Sequence, residues 1–165
     1  MFLNIFVFIN QIMSMYSILI IAHSVFRWAV LVSLLYSIII SWRGYASKSN
    51  FSKSTDIIRH WTATIAHIQF MLGIILYTQS PLVKFYFSDN PGNEGEPFFF
   101  GILHIILMLI AVIIITIGSA KAKRAADDVT KFKTQLIYFC IAIIVIFIAI
   151  PWPFSPLASR PLIRY

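Results

Sequence analysis

An ionisable side chain inside a long apolar stretch costs on the order of 3 kcal/mol or more to place in a membrane, so each one needs a partner or a task. This chain has few: His23, Arg27, His67 and His104, with His60 at the edge of an apolar run and Gln69 as a neutral polar residue. Imidazole is a ligand for iron, copper and zinc, and a guanidinium fixes carboxylates. Depth separates the histidines. At about 1.5 Å of helix rise per residue, His23 lies twenty residues from the basic Arg43, about 30 Å, and His104 lies seventeen from Lys121, about 26 Å. His67 is only eight residues from Arg59, about 12 Å, and sits deeper toward the basic side by about 14 Å or more.

Two histidines at one depth, on the first and third helices of a bundle, form the arrangement that holds a haem b between them, one imidazole on each face of the iron. Arg27 follows His23 by one turn on the same face, and its side chain leans toward the helix N-terminus, where haem propionates would lie. Each residue also has a plainer reading. Buried histidines cross-link helices through hydrogen bonds, Arg27 snorkels to headgroups, Gln69 bonds a neighbouring helix, and His60 is interfacial. Met71 and Met108 fill space, although Met108 is four residues after His104 and shares its face; Cys140 is a small buried hydrophobe. Ala66 and Gly73, with Ala111 and Gly118, let helices approach closely or leave room for a flat ligand.

The elements that must position these groups are helices in a membrane. Of 165 residues, 59% are hydrophobic and 12% charged, which excludes a water-soluble enzyme of ordinary composition. Apolar runs near 16–42, 61–80, 98–120 and 134–152 are each close to the roughly 20 residues a helix needs to cross the hydrocarbon. Their continuity excludes β-barrel strands, which alternate. The expected fold is all-α and integral to the membrane, a single domain over 1–165 built as an up-down bundle of four transmembrane helices. Trp42, Trp61, Tyr77 and Trp152 mark the interfaces. Residues 1–14 carry no basic n-region or cleavage site and are read as an extension of the first helix, or as a consequence of start-codon choice at Met13 or Met15. Residues 153–165, punctuated by Pro153, Pro156 and Pro161 after Pro151, are read as a tail along the outer surface.

Charge sets the expected orientation. Nine of the thirteen Lys and Arg residues fall in the first and third connections, whereas the second is acidic, with Asp89, Glu94 and Glu96 around an Asn90-Pro91-Gly92-Asn93 turn. The positive-inside rule then puts the first and third loops in the cytoplasm and both termini outside, with Arg160 and Arg164 counting mildly against it. The net charge of +7 is accounted for by topology and not by nucleic acid. One cysteine excludes an internal disulfide and a CxxC pair. Nucleotide-binding and hydrolytic motifs are absent, and no carboxylate lies within a span, which argues against a proton-coupled transporter.

Taken together, the segment from His23 to Trp28, the segment from Ala66 to Tyr77, the segment from Ile114 to Ala125 and the closing Ile150-Pro151-Trp152 resemble a family of small four-helix bacterial membrane proteins labelled cytochrome b. The resemblance covers about residues 15–152. It implies one histidine on each of the first three spans, at His23, His67 and His104, and a bacterial inner-membrane location. A glutamate that often precedes the third-helix histidine is replaced here by Leu103. The family pattern admits His67 as a ligand or as a hydrogen-bond donor to a quinone, whereas depth favours His23 with His104.

The expected function is that of a haem-b electron-transfer protein or respiratory-chain subunit, in contact with lipid, with other subunits of a membrane complex and with quinone, and with no catalytic domain of its own. One alternative is a haem-free accessory subunit of a larger envelope or respiratory complex, with Phe98, Phe99, Phe100 and the tail as docking surfaces. Another is copper handling by His23, His104, Met108 and Met13 or Met15.

Overall fold

With no turn residue to interrupt them, the apolar runs fold as long helices, and their ends are set by capping chemistry. The computed structural model describes residues 2–89, 92–156 and 158–162, with side chains from Met15 onward. Helix α1 (Phe2–Ser47) takes the N-terminal stretch and the first span into one uninterrupted helix. Helix α2 (Lys53–Gln79) starts eight residues before the apolar run expected from Trp61, because Ser52 accepts a hydrogen bond from the Thr55 N–H at 3.2 Å. A short α3 (Pro81–Asp89), absent from the sequence expectation, follows; Pro81 occupies a first-turn position where its missing N–H is harmless. Asn90 and Pro91 of the expected turn lie outside the described residues.

The third span, Gly95–Arg124, is composite. One turn of α4 (Gly95–Phe98) runs through a π-helical turn at Phe99–Leu103 into α5 (His104–Arg124). Helix α6 (Asp128–Ala149) begins at the Asp127 cap, whose carboxylate accepts from the Thr130 N–H at 2.8 Å. It stops three residues short of the expected Trp152, since Pro151 offers no N–H to carry the helix on. Four of these helices are long and apolar enough to cross a membrane.

The bundle differs from a soluble protein most on its outside. Its periphery exposes Ile18, Val32, Leu35, Ile113, Ile144 and Ile148, among other large apolar side chains. Its interior mixes large apolar side chains, among them Leu34, Ile115 and Phe139, with small and polar ones: Ser37, Ser41, Thr62, Ala66, Ala111, Ser119, Ala142 and Gln135. Where lipid is as apolar as leucine, helices gain from close approach and interhelical hydrogen bonds instead of from hiding isoleucine, and this partition is the result. Gly118 lies so close to α6 that a Cβ there would stand 2.2 Å from the Tyr138 Cβ.

Helix α1 packs against α2 and α6, and α5 packs against the same two, so α1 and α5 face each other across the bundle. The two ends differ in chemistry. At the basic end, the α1–α2 and α5–α6 connections carry the lysines and arginines, and Arg59 is buried there, bonded to Asp56 at 2.8 Å and to the Ser119 carbonyl at 3.1 Å and hydroxyl. At the other end lie α3, α4 and the C-terminal tail. Trp152, expected as an interfacial ring, is instead 8% exposed in the core, donating its indole N–H to the Phe147 carbonyl at 2.8 Å.

Candidate functional site

Because α1 and α5 are diagonal, inward-facing side chains at matched depth meet on the bundle axis. His23 and His104 do so, with ring centroids 6.4 Å apart and ring planes at 70°. Both line a cavity of about 190 Å³ between α1, α2, α5 and α6. Its walls are mostly apolar, with Val30, Ala66, Ala111, Ile115 and Ile146 toward the basic end.

Each imidazole is held from behind. The His104 Nδ1–H donates to the Ala149 carbonyl at 2.8 Å, which fixes the tautomer and leaves Nε2 with its lone pair. That carbonyl is available because α6 ends there. The π-helical turn directly before His104 widens the helix as its first turn enters the site, and the Gly101 carbonyl within it accepts from the Tyr77 hydroxyl at 2.8 Å. Across the axis, the Gln69 amide donates to the His23 carbonyl at 2.9 Å and, less closely, to the His23 Nε2 at 3.3 Å. The His23 Nδ1 and the Gln69 Oε1 are both buried without a hydrogen-bond partner. Gly73 makes room for the ring: a Cβ there would sit 3.2 Å from the His23 Cε1.

Arg27 also lines the cavity, one turn from His23 on the side of the tail. Its guanidinium donates to the Leu162 carbonyl, which also receives the Trp28 indole N–H at 3.2 Å. Met108 and Gln69 complete the polar and polarisable lining near the histidines.

Of the residues singled out in the sequence, His23, Arg27 and His104 are therefore brought together, and His67 is not. His67 is exposed on the outside of α2, where its Nε2–H donates to the Thr116 hydroxyl at 3.0 Å, the hydroxyl itself being committed to Val112. Eight residues from Arg59 is the wrong depth and the wrong face for the cavity. His60 is exposed against Trp61, and Met71 is 57% exposed, away from the site. Cys140, expected to be buried, is half-buried on α6. The Met13 side chain lies outside those described.

Two contributors were not legible in the sequence. Arg160, counted there only as a tail charge, lines the cavity and pairs with Glu96. The Ala149 carbonyl is a backbone group and leaves no signature in residue type. A sequence separation of 64 residues between Arg160 and Glu96 offers no local spacing to find them by.

The donor set can be tested against haem. His23 and His104 line one cavity with ring centroids 6.4 Å apart, and the Ala149 bond leaves His104 an Nε2 lone pair to offer, so these two imidazoles are the residues that would hold an iron porphyrin. A backbone carbonyl behind one imidazole is the usual support for a metal-bound histidine. Among the described residues, no group of three or more His, Cys, Asp and Glu side chains is placed to hold a bare metal ion. Two imidazoles in a mostly apolar lining are a donor set whose chemistry suits a haem. No family model matches the chain, and no curated protein or solved structure matches it either.

Proposed function

We propose that this chain is a membrane-embedded haem-b electron carrier, a respiratory-chain type of subunit, with His23 and His104 as the axial ligands. The observation that carries this is their spacing: two inward imidazoles on diagonal helices, 6.4 Å apart in an apolar cavity. The resemblance to the cytochrome b family, carried by the segments at His23–Trp28, Ala66–Tyr77, Ile114–Ala125 and Ile150–Trp152, supports the same reading. A bound haem would supply one-electron chemistry, and the protein's part is ligation, burial and electrostatics. His104 is pre-set by Ala149 to offer Nε2. His23 offers Nε2 once the weaker of its two Gln69 contacts is given up, while the Gln69 bond to the His23 carbonyl keeps α1 and α2 in register. Arg27 places a fixed positive charge beside the site, where it balances acid groups.

Quinone and other subunits of a bacterial inner-membrane complex are the proposed redox partners, on the strength of the resemblance to the cytochrome b family. The positive-inside rule gives the proposed orientation, with the basic end cytoplasmic and the cavity nearer the outer face.

Ligand variants test the assignment. His104→Ala is expected to abolish the reduced haem absorption of the purified protein, and His60→Ala to leave it intact. Haem retained without His104, or lost with His60, would sink it.

A second reading has its own support. The Gln69–His23, His104–Ala149 and His67–Thr116 contacts each tie two helices together, which suits a haem-free accessory subunit of a larger complex. Such a protein would be colourless and would co-purify with stoichiometric partners. Copper handling is weaker, since of the thioethers described from Met15 onward only Met108 reaches the cavity.

A further inference from the structure

The cavity's two cations both sit toward the tail, and the chain occupies both with its own acceptors. Arg160 grips Glu96 end-on, Nη1 to Oε1 at 2.5 Å and Nη2 to Oε2 at 2.5 Å, while its guanidinium lies over the Phe100 ring at 5.2 Å. Arg27 spends an Nη on the Leu162 carbonyl. In both residues the Nε–H is buried and has no acceptor. A guanidinium carries five N–H donors in a rigid fork that suits carboxylates, so a buried edge left unfilled is a site for a further oxygen, and at Arg160 a second carboxylate entering there repels Glu96, so that ligand and Glu96 weaken each other on one cation. Two such forks on a mostly apolar cavity, both bonded to the C-terminal tail or the segment it meets, match an amphiphile with a hydrophobic body and two acid groups.

We propose that Arg27 and Arg160 form a two-point carboxylate site at the tail-end mouth of the cavity, and that Glu96 competes with the ligand's carboxylate for Arg160. The proposal rests on the haem reading above and extends it: Arg27 binds one propionate, Arg160 the other, and the Glu96 side chain holds the second position when the ligand is away. Because Arg160 also bonds the Pro151 carbonyl through its backbone N–H at 3.2 Å, exchange of Glu96 for a ligand carboxylate takes place on an anchored tail.

The test is a titration of the full chain, purified without haem in mild detergent, with iron protoporphyrin IX and with its dimethyl ester, read by Soret absorbance. The ester keeps the iron and the ring and lacks the acids. Arg160→Gln is expected to weaken binding of the diacid about tenfold or more, in line with loss of a charge-assisted bond, and to leave the ester nearly unchanged. Glu96→Gln is expected to tighten the diacid several-fold and again to spare the ester. Ester bound as tightly as diacid by the wild-type chain, equal weakening of both by Arg160→Gln, or weaker diacid binding in Glu96→Gln would each overturn the proposal while leaving the haem reading intact. Should Arg160→Gln not fold, the Glu96→Gln and ester comparisons decide alone. A wild-type chain that binds neither porphyrin removes the haem reading and this proposal with it.

Discussion

At Gly118 a single missing methyl group sets the distance between α5 and α6. The Tyr138 Cβ, fixed to its own backbone, would stand 2.2 Å from an added Cβ, so Gly118→Ala has to push two helices apart. The gain of up to about 1 kcal/mol in helix propensity does not offset overpacking of about 1–3 kcal/mol or more, and thermal unfolding in detergent should show a lower midpoint. Gly118 was legible from the sequence as a small residue in an apolar helix, and so were His23, Arg27 and His104, because residue type and depth along a helix are one-dimensional quantities. Arg59 was not. Counted as a loop charge, it is 4% exposed and bonded to Ser119, a contact that depends on how α2 and α5 meet. Nor did the sequence separate His67 from the site by face, since helix rotation is fixed by packing.

Among the elements, α6 is the one whose start is governed by titratable groups. The Thr130 hydrogen bonds hold the Asp127 carboxyl below its ordinary 3.8. Carboxyls held low in the folded state stabilise it above their ordinary value and stop doing so as pH falls through the lowered one. Amide protection factors in the first turn of α6, taken against the intrinsic exchange rate at each pH, are therefore expected to fall below about pH 4 in the wild-type chain, and to be lower already at neutral pH in Asp127→Ala; no difference between the two at neutral pH would remove the cap from the account. The number and rough place of the spans followed from apolarity alone. The ends did not, because Ser52, Asp127 and Pro151 act through single hydrogen bonds made or denied, and neither α3 nor the π-helical turn at Phe99–Leu103 has a hydropathy signal.

On the scale of the whole molecule, an up-down bundle places Ser49 and Glu94 at opposite ends, both exposed. In intact cells of a Cys140→Ser chain, a membrane-impermeant maleimide is expected to label Glu94→Cys and not Ser49→Cys. The reverse pattern would invert the proposed orientation, and labelling of both would contradict the crossing itself. The diagonal placement of α1 and α5 is what turns two separated histidines into one site, and it is a property of the assembled bundle that no single segment carries. A periphery of exposed isoleucine, valine and leucine around a core that admits buried serine, threonine and glutamine likewise makes sense only with lipid outside. The central claim is that this bundle holds a haem between His23 and His104. Its most direct test is a dithionite-reduced minus air-oxidised difference spectrum of the purified protein, with iron quantified against chain. Sharp reduced alpha and Soret bands at about one iron per chain are the expected result; a featureless spectrum from folded protein expressed with haem available would contradict it.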